Sequence, residues 1–362
     1  MVLTFLSILM ALFSNLFRKL SKDVGIDLGT SNTLIYVKDR GIVINEASIV
    51  ALNNRNDQIL AVGEEAQKMV GKTPPHITIS RPLVDGIISD FEVTEKMLKY
   101  FIDRIYQQSF GLSPRPRVVI GVPLDVTEVE KKAVEDVVLS AGAREVYLVE
   151  NVIATAVGAR MPIQDPSGNM VVDLGGGVTE IAVISLSGVV AWKSLRVAGN
   201  KLNQDIMQFA RNEFNLLIGE RVAEEIKIKA SRVTESEPVE LKMRGRDLLS
   251  GLPKEVVISS EQVKQAMQRS ISVIIDGIKS TLEITPPELV ADIYQRGMIL
   301  AGGGALLAGL DEMIAKATKI PIKVIEDSLT CVVRGMGLIL EDDNLLREVA
   351  VPSSTKEEKN SR

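Results

Sequence analysis

Cysteine and histidine are almost missing from this chain of 362 residues, which has one of each, Cys331 and His76. A single cysteine rules out an internal disulfide and a metal–thiolate cluster, and it suits a reducing cytoplasm. A single histidine leaves nothing for a multi-histidine zinc site and argues against a Ser-His-Asp triad. It stands in Pro74-Pro75-His76 and reads as a surface loop residue. Basic charge is not in excess either: 42 Lys and Arg face 47 Asp and Glu, for a net charge of −5 at pH 7. General nucleic-acid binding would need a basic face to neutralise phosphates. The apolar run at the start, Met1–Phe17, is short of the ~20 residues that a spanning helix needs. It also lacks a signal peptide's leading basic segment and small-residue cleavage site. What is left is an ordinary globular composition, 46% hydrophobic and 25% charged, with length for about two domains.

The opening run has an internal pattern. Thr4, Ser7, Ser14, Asn15 and Arg18 recur at helical spacing and share one face, while Leu3, Phe5, Leu6, Leu9, Leu12, Phe13, Leu16 and Phe17 cover the rest. This predicts an amphipathic helix over residues 1–20 lying in a membrane interface, with Arg18, Lys19 and Lys22 near lipid phosphates. The other readings are a terminal helix packed on its own domain and a true transmembrane anchor. The breadth of the apolar face favours the membrane surface.

Two segments repeat one another. Val24-Gly-Ile-Asp27-Leu28-Gly29-Thr30-Ser31-Asn32-Thr33 and Val171-Val-Asp173-Leu174-Gly175-Gly176-Gly177-Val178-Thr179 both read Asp-Leu-Gly-x-x-x-Thr between alternating apolar runs. Each predicts a strand, a tight turn and a returning strand, and the repeat predicts two related domains. Glycines let backbone N–H groups approach a polyphosphate, and Thr30, Ser31, Asn32 and Thr33 add side-chain donors. Carboxylates at Asp27 and Asp173 would repel phosphate unless a cation lay between, which points to Mg²⁺. A third cluster, Gly302-Gly303-Gly304-Ala305, follows an apolar strand and precedes an expected helix over residues 311–318. Its exposed backbone suits a flat base or a phosphate, or equally a tight strand-to-helix turn.

In this order and spacing the three segments resemble the phosphate-one, phosphate-two and adenosine motifs of the actin superfamily. Gly41–Ser48, Arg81–Phe91, Gly245–Pro253 and Lys279–Leu289 narrow the resemblance to MreB, and the similarity runs from about Asp23 to about Leu346. The resemblance implies an α/β, actin-like (ribonuclease H-like) duplicated fold. Two large domains, each with a mixed β-sheet and flanking helices, enclose a nucleotide cleft, and each carries a smaller insert. The implied divisions are 21–50, 84–164 and 334–352 for subdomain IA, 51–83 for IB, 165–200 and 265–333 for IIA, and 201–264 for IIB. Residues 353–362 are expected to be a disordered tail.

The resemblance also implies roles. Ala223, Glu224 and Lys227 stand where the family contacts adenine, although by pattern alone they would be a solvated helix face. Glu130 stands where the family positions the water that attacks the γ-phosphate, and Thr179 could hold the same water. By pattern alone Thr127-x-x-Glu130 is a capping box, and one helix start can serve both purposes. Phe110 and Leu112 occupy the place of the family's membrane-inserting loop, or else pack beneath the strand at Val118–Val122. The implied cofactors are ATP and Mg²⁺. The implied partners are further copies of the chain in paired filaments, the inner face of the cell membrane and membrane-spanning elongation proteins.

Several positions depart from the family pattern. Val178 replaces a threonine, Asn200 and Asn203 replace acidic residues, Glu150-Asn151 replaces a Glu-Pro pair, and Val222 replaces a threonine. Nucleotide binding is therefore a firmer expectation than rapid turnover. A small-molecule kinase on the same cleft would need a catalytic aspartate and a polar pocket, for which no motif is found. A chaperone would need a substrate domain beyond Leu346.

Overall fold

The computed structural model describes residues 23–106, 115–230 and 239–352. The helix expected over residues 1–20, the pair Phe110 and Leu112, and the tail 353–362 lie outside the described residues.

The chain begins with an antiparallel meander, β1 (Val24–Leu28), β2 (Asn32–Val37) and β3 (Gly41–Ala47). A small sheet follows, built from β4 (Val50–Asn53), β5 (Gln58–Val62) and β6 (Ile77–Ser80), with α1 (Glu64–Met69) against it. After the short hairpin β7 (Leu83–Val84) and β8 (Ile87–Ile88) come α2 (Phe91–Tyr106), β9 (Arg117–Val122), α3 (Glu128–Ser140), β10 (Glu145–Glu150) and α4 (Asn151–Gly158). β9 and β10 join the meander in parallel, giving the sheet order β10-β9-β1-β2-β3.

The second half repeats the plan. β11 (Asn169–Leu174), β12 (Thr179–Ser185) and β13 (Gly188–Leu195) form a meander, followed by α5 (Gly199–Phe214). The insert contains β14 (Leu216–Leu217), α6 (Glu220–Ala230), β15 (Glu240–Asp247) and β16 (Pro253–Ser259). Then come α7 (Ser260–Glu283), α8 (Pro287–Arg296), β17 (Met298–Ala301), α9 (Leu310–Thr318) and β18 (Ile322–Val324), before α10 (Cys331–Glu341) and α11 (Asp343–Val349) return to the first sheet. The second sheet is ordered β13-β12-β11-β17-β18, the same topology as the first.

The sequence explains these elements locally. β11 is apolar around Asp173 and buried along its length, as expected of a central strand covered on both faces. α2 carries Val93, Met97, Phe101 and Ile105 at i, i+4 spacing and buries them all. α7 starts at a Ser259–Gln262 capping box in which both reciprocal bonds are formed.

Each sheet has its own core, and a third core lies between them. There Val119 and Val149 of the first sheet and Val171, Ala182 and Ile184 of the second meet α4 and α10. The two helices cross at backbone contact: a Cβ on Gly335 would lie 1.8 Å from the Ala154 carbonyl oxygen, and one on Gly158 would lie 2.1 Å from that of Cys331. Only glycine fits at either place. This floor sets the distance between the two sheets, and the ends of β1 and β11 meet above it.

Candidate functional site: a cleft between two matched hairpins

The two repeated motifs form the same hairpin. Asp27 pairs with Leu34 and Leu28 with Thr33 in one, and Asp173 with Glu180 and Leu174 with Thr179 in the other. The turns close with matching bonds, Gly29 N–H to the Asn32 carbonyl at 3.1 Å and Gly175 N–H to the Val178 carbonyl at 3.0 Å. The hairpins meet tip to tip. A Cβ on Gly176 would stand 2.0 Å from Ser31 Oγ, and one on Gly177 would stand 2.5 Å from Thr30 Oγ1. The triple glycine therefore gives the first loop's side chains room, besides freeing backbone N–H groups.

The two aspartates sit at the centre. Burial, and then the charge of Asp173, push Asp27 up to about 7. Burial pushes Asp173 up to about 6 against the pull of the Thr155 hydroxyl. Two neighbouring carboxylates, both raised by burial and one also by the other's charge, are the donor set expected of a divalent cation that keeps most of its water or takes phosphate oxygens. Mg²⁺ fits these residues.

Loop one is fixed from behind. Ser48 donates its hydroxyl to the Gly29 carbonyl (2.6 Å) and its N–H to the Ser31 carbonyl (2.9 Å), and its oxygen lies 2.9 Å from Thr33 Oγ1. Thr33, expected to face phosphate, is instead fully buried in this cluster, because its place in the strand turns it inward. Thr30 accepts the Gly86 N–H at 2.8 Å, and Asn32 donates to Asn45 at 3.1 Å. Ser31 and Thr30 are the side chains of this loop that stand at the glycines opposite, Ser31 at Gly176 and Thr30 at Gly177.

Loop two is fixed by a helix start. Gly199 N–H donates to the Gly175 carbonyl (3.1 Å) and Asn200 N–H to that of Gly176 (2.8 Å), so the first turn of α5 holds the loop by its backbone. Lys227 reaches the same place, donating to the Gly199 carbonyl at 3.0 Å and to Glu224 at 2.8 Å. Asn203 donates to the same Glu224 oxygen at 2.6 Å, while its own Oδ1 is buried without a partner. Glu224 and Lys227 thus face loop two and do not form a free solvated face. Ala223, expected beside adenine, is instead wholly buried in the core of the second domain and offers a base no side-chain surface.

The third glycine cluster closes the floor of the second domain. Gly302, at φ +79°, leaves no room for a Cβ, which would meet Asp173 Oδ1 and the Leu174 carbonyl, each at 2.5 Å. Gly303 is exposed and Gly304 leans on Leu174. Ala305, expected at the cofactor, is buried in the core because the 3₁₀ turn Gly303–Leu306 points it inward.

Glu130 forms the capping box in full. Its Oε2 accepts both the Thr127 N–H and the Thr127 hydroxyl at 2.7 Å, and its N–H donates to Thr127 Oγ1 at 3.3 Å. These bonds, and more weakly Arg196, hold its carboxyl below the ordinary range. The same side chain lines a small recess with Leu28, Gly86, Pro123 and Val126, beside the first hairpin. Thr179 stands differently from the expectation. It is fully buried and donates its hydroxyl to the Val197 carbonyl at 2.7 Å, so it fastens the hairpin and presents no atom to the cleft.

Glu180, which nothing in its local sequence marks, lies next to Thr179 and is buried. Burial, together with the charges of Asp173 and Asp125, pushes it up to about 8 against the bonds from Leu124 and Asn151. Its glutamate reads as an ordinary strand residue, and its partners are distant in sequence. The ion pair Arg81–Glu220, at 3.0 Å, joins the end of the first small sheet to the start of α6 across the mouth. Both side chains are about a third or more exposed, so it contributes at most ~1 kcal/mol. Glycine-lined backbone, two neighbouring carboxylates and a third carboxylate at a helix start are together suited to holding a polyphosphate with its cation and directing a water at it.

Known proteins share this chain's sequence and fold. The family model described as MreB/Mbl protein matches residues 21–348. The cell shape-determining protein Mbl of Bacillus subtilis is 49% identical over 323 residues, covering 89% of this chain and 96% of its own. The cell shape-determining protein MreB of Escherichia coli is 46% identical over 328 residues, covering 89% and 94%. The crystal structure of MreB5 of Spiroplasma citri bound to ADP superposes with a TM-score of 0.85 at 36% identity, over 91% of this chain and 98% of that one. At 23% identity and a TM-score of 0.73, the MamK double helical filament shares the fold. With two actin-like halves, two matched glycine hairpins and relatives matched over nearly their whole length, this chain belongs to the MreB/Mbl family.

Proposed function

We propose that the chain is an actin-like cytoskeletal ATPase: it binds Mg-ATP in the cleft, polymerises, and helps determine cell shape. The observation that carries this reading is the pair of matched hairpins meeting tip to tip over two neighbouring aspartates. The relatives named as cell shape-determining proteins support the cellular role, and the MreB5 structures bound to ADP and to AMPPNP support the ligand. Among the described residues no feature of the cleft favours a sugar kinase.

In this reading Gly29, Thr30, Ser31, Asn32, Gly175, Gly176 and Gly177 surround the phosphates, and Glu224, Lys227, Gly302, Gly303 and Gly304 border the nucleoside. Asp27 and Asp173 would hold Mg²⁺, which when bound neutralises phosphate charge. Glu130 orients the attacking water while Thr127 keeps its carboxylate ionised and pointed. Filament formation follows from the family. Attachment to the inner face of the membrane rests on the amphipathic pattern of residues 1–20, and contact with membrane elongation proteins rests on the family resemblance alone.

Removing a cation-organising carboxylate tests the central claim. Asp173→Ala is expected to weaken Mg-ATP binding about 10- to 100-fold by calorimetry and to abolish ATP-dependent pelleting. Parent-like affinity in the variant would remove Asp173 from the site.

A further inference from the structure

We infer that Glu180 is a positioning residue that straps the second phosphate hairpin to the segment of the first domain that presents Glu130. The inference rests on the ATPase reading for its catalytic consequence, but not for its structural one.

Glu180 belongs to β12 of the second domain, where it pairs directly with Asp173. It is 3% exposed, and its carboxylate crosses to the first domain with both oxygens. Oε1 accepts the N–H of Leu124 at 2.7 Å, and Oε2 accepts the side-chain N–H of Asn151 at 3.1 Å. Leu124 lies three residues before Thr127, the cap on which Glu130 is built. Asn151 is the first residue of α4, one of the two helices on the cleft floor. One side chain therefore ties the hairpin that holds Asp173 both to the approach to α3 and to that floor.

The anchor at Asn151 is packed against the first sheet. Its Oδ1 is buried without a partner and lies so close to Gly121 that a Cβ there would be 2.1 Å away. The Asn151 side chain is thus seated against the backbone of β9, so the Glu180 contact ends on the first sheet as well as on α4. If phosphate binding moves the Gly175–Gly177 turn, Glu180 carries the movement to Leu124 and so to the helix start at Thr127–Glu130. Two independently hinged domains would leave the water-positioning carboxylate out of register with the phosphate held by the other domain. Misplacement of about 1 Å is enough to cost two orders of magnitude in rate.

The chemistry predicts which substitution is tolerated. Glutamine keeps a carbonyl for the Leu124 N–H, and its amide donates to Asn151 once that amide turns over to face it with Oδ1. Alanine loses both bonds. In the full-length protein, Glu180→Ala is expected to speed hydrogen exchange across residues 122–130 and to lower phosphate release 10- to 100-fold, with Mg-ATP affinity changed less than about threefold. Glu180→Gln is expected to restore both readouts. A general loss of packing would lower affinity and rate together and would not be repaired by glutamine. Unchanged exchange in Glu180→Ala overturns the strap. A glutamine variant as impaired as alanine also overturns it, since the carboxylate's charge would then be what matters. If the parent hydrolyses no ATP, the ATPase reading fails and the exchange measurement alone decides the strap. If Glu180→Ala does not fold, Asn151→Ala, which cuts only the longer bond, should loosen the same segment by a smaller amount, and no loosening there counts against the strap.

Discussion

The two matched hairpins share a register, a turn bond and an aspartate, yet they are equipped in opposite ways. The first carries side chains, Thr30, Ser31 and Asn32, and is held from behind by the buried Ser48. The second is bare backbone, Gly175–Gly177, and is held by the N–H groups that begin α5. The helix starts nearby differ as well. α3 is capped by Thr127 and Glu130 side chains, whereas α5 has no side-chain cap at Ala198 and its first N–H groups reach the loop carbonyls. Two equally furnished loops would collide, because the room for Ser31 and Thr30 exists only where the other hairpin has no Cβ. The duplication thus gave a symmetric frame, and its use requires the asymmetry.

The sharpest test of the comparison is at the helix start that has a side chain. Glutamine completes a capping box as well as glutamate does, so Glu130→Gln should keep the parent melting temperature, while phosphate release falls about 10²-fold. Glu130→Ala should lose rate and also melt lower. Parent-like release by Glu130→Gln would leave the residue a cap and nothing more.

A smaller effect is expected where the hairpins touch. Gly176→Ala places a methyl group against Ser31 and should weaken Mg-ATP binding about tenfold, since the tips must part. Adding Ser31→Gly removes the obstructing Oγ and Cβ, after which the nearest atom is Ser31 N at 3.5 Å, and most of the affinity should return. A double variant no better than Gly176→Ala would mean that the loops are not in contact when nucleotide binds.

The smallest effect concerns the aspartates without cation. Asp27 titrates near 7 in the folded protein, above its ordinary 3.8, so the folded state binds the proton more tightly. Its contribution to stability is complete below about pH 4 and is lost as the pH rises through about 7. Asp27→Asn should therefore melt a few degrees above the nucleotide-free parent at pH 8, and the gap should close as the pH falls toward 4. Thermal scans over that range check it, and a gap that does not depend on pH would contradict the burial of a strained carboxylate.

Much of this was legible in the residues. The repeat Asp-Leu-Gly-x-x-x-Thr and the alternating runs around it led to both hairpins and to the duplicated sheets. Thr127-x-x-Glu130 led to the capping box, and Gly302–Ala305 to a tight turn before a helix. What did not carry over were the positions decided by facing. Thr33 and Thr179 match each other in the repeat and both are buried, one against Ser48 and the other on Val197. Ala223 and Ala305 sit beside cleft residues in sequence and inside the core in space.

The sequence by itself determined the local chemistry of the protein: where the chain turns tightly, which strands are apolar throughout, and that its acidic and glycine-rich loops come as a pair. These follow from residue type and short-range spacing. Only the tertiary structure decided which side of each hairpin meets the cleft, that Gly176 makes room for Ser31, and that Glu180 reaches Leu124 across 56 positions of chain. The reason is physical: in a strand, neighbouring residues point to opposite faces, and which face is covered depends on elements that arrive from far along the chain.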